Sequence, residues 1–304
     1  MAPKPFDLHT YLHKLGLNPA DGPSFSDDFF YELPYRHANA MPFGNTEVLS
    51  GRTPGITPDE AFDKMVVRNE AGYCHEHAPL IRTAMREMGF EVRPVLARVL
   101  LKNVENPSPY THQANLVTQG EASFLVDPGF GAGTPLHPVP LPSEGEDFGP
   151  IVDSPHGDHR IARVSATAFT EVPGIDFVLE TRPHREQEGD NSSDPAADNA
   201  DSNAFSGVYG FSMAPLAESD LENSNWWAAT HPSSIFTSML ALARYRLDGT
   251  KVTLANAKFR VSPADGEATE RELEGPEELQ KVLREEFDTA ISSEDARSVW
   301  AKIK

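Results

Sequence analysis

The stretch GYCHEHAPLIRTAMREMGFEVRPVLARVLL, residues 72–101, changes character at its middle. Up to Gly89, the apolar residues Leu80, Ile81, Ala84, Met85 and Met88 recur at helical spacing on one face, and Gly89 stands where a glycine ends a helix. Beyond it the period falls to two and β-branched residues take over, so Glu91 to Leu101 reads as a strand. A core helix that opens at a cysteine and hands over to strands sets the class as α+β.

Working outward, the first ninety residues read as helical. Tyr11, Leu12, Leu15 and Leu17, then Phe25, Phe29, Phe30 and Leu33, keep helical spacing. At Thr57 a cap followed by Pro58, Asp59 and Glu60 opens a further helix, with Ala61, Phe62, Met65 and Val66 as its apolar side. Downstream, Ala114 to Val117, Ser123 to Val126, Arg160 to Ser165 and Asp176 to Thr181 are short strands punctuated by Gly and Pro. That pattern suits an antiparallel sheet or small barrel better than repeated βαβ units. Phe236 to Leu247 and Lys251 to Val261 read as strands meeting at Asp248-Gly249, and Pro276 to Phe287 reads as a helix. From about 184 to 204 the chain is acidic and polar, which predicts a flexible surface insertion.

Composition narrows the function. One cysteine allows no disulfide within the chain and no zinc site of the usual multi-cysteine kind, and it suits a reducing, intracellular setting. With 26 basic against 46 acidic residues the net charge is −20, which argues against a nucleic-acid partner; an anionic substrate needs a local basic patch. Met1 to Asp21 lacks the apolar core of a secretory signal, and the best apolar run, Val95 to Leu101, is short and broken by Arg98. A soluble, cytoplasmic protein without a membrane partner is expected.

Cys74 follows Gly72-Tyr73 at a helix start, where backbone N–H groups and the helix dipole lower a thiol's pKa. Pro79 counts against a helix that begins before about residue 76. A thiol nucleophile needs a base and the base an orienter. Thr111-His112 precedes one strand and Val126-Asp127 ends the next, so in a hairpin the two are cross-strand neighbours. Taken singly, His112 also reads as a polar strand-end residue and Asp127 as a turn former. Cys74, His75 and His77 lack zinc spacing, and no metal site is expected. Trp226, Trp227 and His231 read as packing or capping residues, and Gly129-Phe130-Gly131-Ala132-Gly133 lacks the setting of a dinucleotide loop.

Taken together, Glu70-Ala71-Gly72-Tyr73-Cys74-His75-Glu76, Thr111-His112, Val126-Asp127-Pro128-Gly129-Phe130-Gly131, Pro42-Phe43-Gly44-Asn45 and the segment from Asn225-Trp226 through Thr230-His231-Pro232-Ser233-Ser234-Ile235-Phe236 resemble the arylamine N-acetyltransferase family, from about Tyr11 to Val261. The resemblance implies a helical bundle over 1–91 carrying the cysteine, an antiparallel β-barrel over 92–215 carrying the His and Asp, and an α/β lid over 216–304, in a cysteine-protease-like arrangement. It implies an acyl-cysteine that moves an acetyl group from acetyl-CoA to an arylamine or arylhydrazine with ping-pong kinetics, no permanently bound cofactor, and a place in xenobiotic metabolism. Cys74, His112 and Asp127 are then catalytic, Phe43 and Phe130 line the acceptor pocket, and Thr230, Ser233 and Ser234 lie against coenzyme A. Ser233 and Ser234 also read as ordinary turn or cap residues.

Where the family signature has Arg-Gly this chain has Glu70-Ala71, and the Glu of its Pro-Phe-Glu-Asn is Gly44. Glu70 therefore needs another partner, and Arg68 stands too close in sequence to be a simple substitute. Other readings share parts of the pattern: a propionyl- or malonyl-CoA donor, a cysteine hydrolase or transglutaminase-like enzyme, which leaves the Trp226 to Phe236 match unexplained, and a non-catalytic coenzyme-A-binding homologue.

Overall fold

The computed structural model describes residues 2–17, 27–100, 107–184 and 204–304; nearly all of the expected acidic insertion lies outside the described residues. The N-terminal half is helical: α1 (Leu8–Lys14), α2 (Asp27–Ala40), α3 (Thr46–Leu49), α4 (Pro58–Phe62) and α5 (Cys74–Glu87), with a two-residue strand β1 (Phe43–Gly44) between α2 and α3. Thr57 caps α4, its hydroxyl accepting from the Glu60 N–H while the Glu60 carboxylate takes the Thr57 N–H in return. The helix then loosens into a π-turn at Asp63–Val67, and Asn69 reverses the chain at φ 56°. α5 is buried along most of its length and packs Leu80, Ile81, Ala84 and Met85 against Tyr11, Phe30, Leu33 and Met65.

Helix α5 begins at Cys74, so Pro79 does lie inside it. The ring withholds the N–H that would reach back to the His75 carbonyl, a loss tolerated early in a helix whose first turn is tied down by side chains. One such tie is the Glu76 carboxylate, which accepts the Tyr73 N–H at 3.1 Å.

The middle of the chain is a seven-stranded antiparallel sheet: β2 (Glu91–Val99), β3 (Tyr110–Gln119), β4 (Ala122–Val126), β5 (Val139–Pro140), β6 (Asp158–Arg163), β7 (Phe177–Arg182) and β8 (Ser206–Phe211), in the order β5-β4-β3-β2-β8-β7-β6. The sheet curls until its edges β5 and β6 approach, which makes it barrel-like around Val95, Leu116, Leu125, Ile161, Leu179 and Phe211. Its other face, through Val92, Val117 and Val126, packs on the helices.

The C-terminal part holds α6 (Glu218–Thr230), a sheet of β9 (Ala241–Tyr245), β10 (Lys251–Ala255), β11 (Lys258–Ser262) and β12 (Thr269–Glu272), then α7 (Pro276–Glu285) and α8 (Ser293–Ile303). Strand β1 adds to this sheet, with Phe43 opposite Ala243. The N-terminal segment is thus stitched to the lid beside the loop that leads into α5, where the Gly44 N–H donates to the Gly72 carbonyl at 2.7 Å.

Several expectations change. Strand β3 starts at Tyr110, so Thr111 and His112 lie within it rather than before it. Phe236 to Leu247 is a strand only over Ala241–Tyr245, because Ser234 caps a short 3-10 turn at Ile235–Thr237 through its hydroxyl. Strand β8 was not expected; Gly207 and Gly210 dilute its β signal. Trp227 stacks on His231, rings 4.6 Å apart, but the adjacent Trp226 is exposed.

Candidate active site

Cys74 is the first residue of α5, only 2% exposed, with its Sγ 3.8 Å from the Thr111 carbonyl. His112 reaches it from β3, and the thiol and imidazole interact directly. His112 Nε2 meets Asp127 Oδ2 at 2.7 Å. A carboxylate can only accept, so Nε2 carries the proton there and Nδ1 is the nitrogen left to work on the sulfur. The pair is diagonal rather than directly opposite: in the β3–β4 register Asn115 faces Val126, which places Asp127 just past the strand end, two residues out of step with His112. The long imidazole spans that offset.

Asp127 is held on all sides. Its Oδ2 also accepts the Tyr209 hydroxyl at 2.7 Å, and its Oδ1 accepts the Gly129 N–H at 3.1 Å. Gly129 must lack a side chain, since a Cβ there would come within 2.7 Å of the His77 Cβ and 3.3 Å of the Cys74 Cα. Phe130 sets its ring edge on His112 at 4.9 Å, and Tyr209 covers the same imidazole at 4.8 Å.

The electrostatics follow from burial against partners. Burial opposes a thiolate, but His75 and His112 outweigh it and bring the Cys74 thiol down from 9.0 to about 6. For His112, burial opposes the charge, yet Asp127 and the sulfur overcome it and lift the imidazole to about 10. Between those limits a thiolate–imidazolium pair is the stable form.

Sequence reading missed several neighbours. Tyr209 sits on the unexpected β8, and nothing local distinguished it. Below the loop, three buried groups form one directed chain. Since the Gly72 carbonyl can only accept, His77 Nε2 donates to it at 3.1 Å; His77 Nδ1 then accepts from His37 Nε2 at 2.8 Å, and His37 Nδ1 accepts the Tyr11 hydroxyl at 2.8 Å. Burial holds both imidazoles below their usual range, His77 at about 4, which keeps them neutral as this chain requires. Read along the chain, His77 is only a poor metal ligand; in the fold it turns to Gly72 and His37, while Cys74 Sγ and His75 Nε2 both reach the Thr111 carbonyl, at 3.8 and 3.2 Å.

The altered signature is accommodated in two ways. Arg68 does pair with Glu70, Nη1 to Oε1 at 2.7 Å, because the left-handed turn at Asn69 brings side chains two apart to one side. Gly44 and Ala71 exchange space: a Cβ on Gly44 would come within 2.8 Å of the Ala71 methyl. Buried Lys64 adds a link of its own, bridging Glu47 at 2.6 Å and Glu76 at 2.7 Å. Burial pushes Glu76 up to about 7 against the pull of Lys64.

Phe43 and Phe130 line a cavity of about 210 Å³ that continues along the lid sheet. Phe43, one of the residues lining the cavity, also packs in the same cluster as Tyr73 and Cys74. The lid is anchored there by Asn225, which accepts the Tyr73 hydroxyl and donates to the Pro54 carbonyl at 3.0 Å. In the turn after α6, the hydroxyls of Thr230 and Ser234 return to the Trp226 and Ala228 carbonyls at 2.7 and 2.6 Å, while the Ser233 N–H meets His231 Nδ1 at 3.2 Å. Ser233 is exposed and Ser234 buried.

The N-acetyltransferase family pattern matches residues 28–296. An arylamine N-acetyltransferase of Escherichia coli K12 is 28% identical over 264 residues, 87% of this chain and 83% of that one. Among solved structures, the arylamine N-acetyltransferase of Salmonella typhimurium superposes with a TM-score of 0.79 at 26% identity, over 97% of both chains. That of Mycobacterium marinum, solved with CoA, shares the fold with a TM-score of 0.79 at 24% identity, covering 98% of this chain and 99% of the other. No helix among the described residues is long and apolar enough to cross a membrane.

Proposed function

Since the chain belongs to the arylamine N-acetyltransferase family and is an acyltransferase of that class, we propose that it moves an acetyl group from acetyl-CoA to an arylamine or arylhydrazine through a thioester on Cys74. The observation that carries this reading is the buried thiol at the start of α5, brought down to about 6 and joined to a His112 whose far nitrogen is fixed by Asp127.

In the first half-reaction the Cys74 thiolate attacks the thioester carbonyl, the C–S bond to coenzyme A breaks, and the departing thiolate takes a proton from His112. In the second, the amine nitrogen attacks the acyl-cysteine, His112 accepts the nitrogen's proton, and the Cys74 thiolate leaves. Asp127 holds the imidazole in the one orientation that serves both steps. Phe43 and Phe130 give the acceptor ring flat apolar walls. The turn of Thr230, Ser233 and Ser234 carries coenzyme A, whose contacts there fall to backbone N–H groups and the Ser233 hydroxyl, the other two hydroxyls being engaged within the turn. The helical, barrel and lid segments, divided near residues 92 and 216, act as supplier of the thiol, supplier of the His and Asp, and cover.

Initial rates measured over a grid of acetyl-CoA and arylamine concentrations test this. Parallel double-reciprocal lines are expected, and an intersecting pattern rules out the free acyl-enzyme. Repeating the first half-reaction with propionyl- and malonyl-CoA ranks the donors, with acetyl-CoA expected to be fastest.

A further inference from the structure

A second buried histidine follows Cys74, and the acyl-transfer steps above give it no part. His75 is the next residue of α5, has no exposed surface, and meets the Tyr73 ring edge-on with centroids 5.3 Å apart. Its Nε2 lies 3.2 Å from the Thr111 carbonyl and 3.4 Å from Ser224 Oγ. A carbonyl can only accept, and the Ser224 hydroxyl hydrogen is spent on the Tyr110 carbonyl at 2.6 Å, so both groups offer Nε2 a lone pair. Nε2 therefore carries a hydrogen. On the other side of the ring, Nδ1 faces the buried side-chain amide of Gln113, with Oε1 at 3.3 Å. The Gln113 nitrogen has no partner among the described residues, so the amide can turn over and present either end to Nδ1. The ring thus keeps its Nε2–H and its contacts whether or not Nδ1 is protonated.

The sulfur shares the place to which that hydrogen is directed, since Cys74 Sγ reaches the same Thr111 carbonyl at 3.8 Å. As a thiol, Cys74 can donate to the carbonyl. As a thiolate it has no hydrogen to give and stands beside an oxygen that repels it, a cost that an N–H converging on the same spot offsets. His75 interacts with the sulfur directly; burial opposes ionisation, and His75 and His112 together overcome it. The other titratable groups near the sulfur are Tyr73 of the preceding loop, Tyr209 of β8 and Asp127 behind His112. Both tyrosine hydroxyls are spent elsewhere, on Asn225 and on Asp127, and the residue that α6 turns to the His75 ring, Ser224, is uncharged. That leaves one imidazole from α5 and one from β3 as the side chains able to donate to the sulfur.

We propose that His75 is a second donor to the Cys74 sulfur, its Nε2–H stabilising the thiolate from α5 while His112 does so from β3. The inference rests on the acyl-transfer reading above and deepens it. His75 exchanges no proton in either half-reaction. In the second, the N–C bond to the amine forms, the C–S bond breaks, and its electron pair comes to rest on the sulfur that His75 holds. A stabilised thiolate attacks less readily and departs more readily, so His75 favours this second step over the first.

The test compares the wild type with His75→Phe, which keeps a flat ring against Tyr73 but has no donor, and with His75→Gln, which returns an N–H. Iodoacetamide alkylation of Cys74 is followed against pH. The midpoint rises by about one pH unit or more in His75→Phe and by less than half as much in His75→Gln. Rapid-quench rates of the two half-reactions are then read at about pH 9, where removal of the acetyl group by an arylamine slows about threefold in His75→Phe and loading from acetyl-CoA does not slow. An unmoved midpoint in His75→Phe overturns the proposal, as does an equal shift in His75→Gln, which assigns the effect to packing, or an equal slowing of both half-reactions, which a distorted loop produces. Should His75→Phe fail to fold by circular dichroism, nitrogen NMR of the wild-type histidines decides, with His75 assigned from its missing signal in His75→Gln. An Nε2–H resonance that moves as Cys74 titrates supports the proposal, and one that stays in place overturns it. The alkylation arm uses no acyl donor, so it reads the donor to the sulfur separately from the acyl-transfer reading, which falls by itself if neither half-reaction is seen.

Discussion

The loop that carries Cys74 has two flanks built on different principles. Toward the barrel, Cys74, His112, Asp127 and Tyr209 are all buried, and Asp127 has a donor for each oxygen. Toward the lid, Glu70, Ala71 and Gly44 depart from the family signature, and the charge is taken by a half-exposed pair between Arg68 and Glu70. A buried ionic arrangement cannot lose a member cheaply, whereas an exposed pair is screened and replaceable. The difference explains how the signature drifts on one flank while the geometry at the sulfur stays complete. The contrast is open to attack at several points.

The largest effect belongs to the buried flank. Asp127→Asn leaves His112 without its carboxylate and presents an amide, so kcat falls about a thousandfold or more with folding retained by circular dichroism. A loss below tenfold would mean that His112 is oriented by other groups, such as the Phe130 and Tyr209 rings.

Next comes pH. The thiolate forms above about 6 and the imidazolium persists to about 10, so the ion pair spans that interval. Its stabilising contribution is lost as pH falls through about 6, where the thiol regains its proton, and as pH rises through about 10, where His112 gives its own up. Iodoacetamide alkylation of Cys74 should therefore be half-maximal near pH 6; a midpoint near the ordinary 9.0 contradicts the account.

Lys64→Met probes the bridge beneath the loop. With Glu76 left buried and uncompensated, stability drops by about 3 kcal/mol, read as a lower urea midpoint, and because losing Lys64 lifts Glu76 still further above about 7, the deficit widens as pH rises beyond about 7. A neutral result would show that Glu47 and Lys64 serve the surface alone.

Gly44→Ala sharpens the steric half of the comparison. The added methyl meets Ala71, costing about 1–2 kcal/mol, and Ala71→Gly in the same chain restores much of it. Smallest of all, Glu70→Gln changes stability by less than about 1 kcal/mol, the ordinary value of an exposed pair. A large loss there would erase the distinction between the flanks.

Much of this was legible in sequence because it is written in local terms. The period change at Gly89 separates helix α5 from β2, and cap chemistry at Thr57 starts α4. Cys74, His112 and Asp127 could be nominated because each stands beside a glycine or a strand end. Tyr209 could not, since its contact with Asp127 crosses 82 residues and needs the pairing of β8 with β2. The His37 and His77 chain was hidden for a similar reason: a histidine on a buried helix face looks the same whether it meets a ring, a carbonyl or a metal. The pairing of Arg68 with Glu70 depended on one residue's left-handed backbone at Asn69, which spacing alone does not reveal.

The central claim is that Cys74 holds the acyl group between donor and acceptor. Intact mass spectrometry after brief incubation with acetyl-CoA and no amine tests it directly, with Cys74→Ala alongside. A gain of about one acetyl group on the wild type alone, removed on adding an arylamine, is the predicted result. No gain on the wild type with acetyl-, propionyl- or malonyl-CoA, or an equal gain on Cys74→Ala, would contradict it.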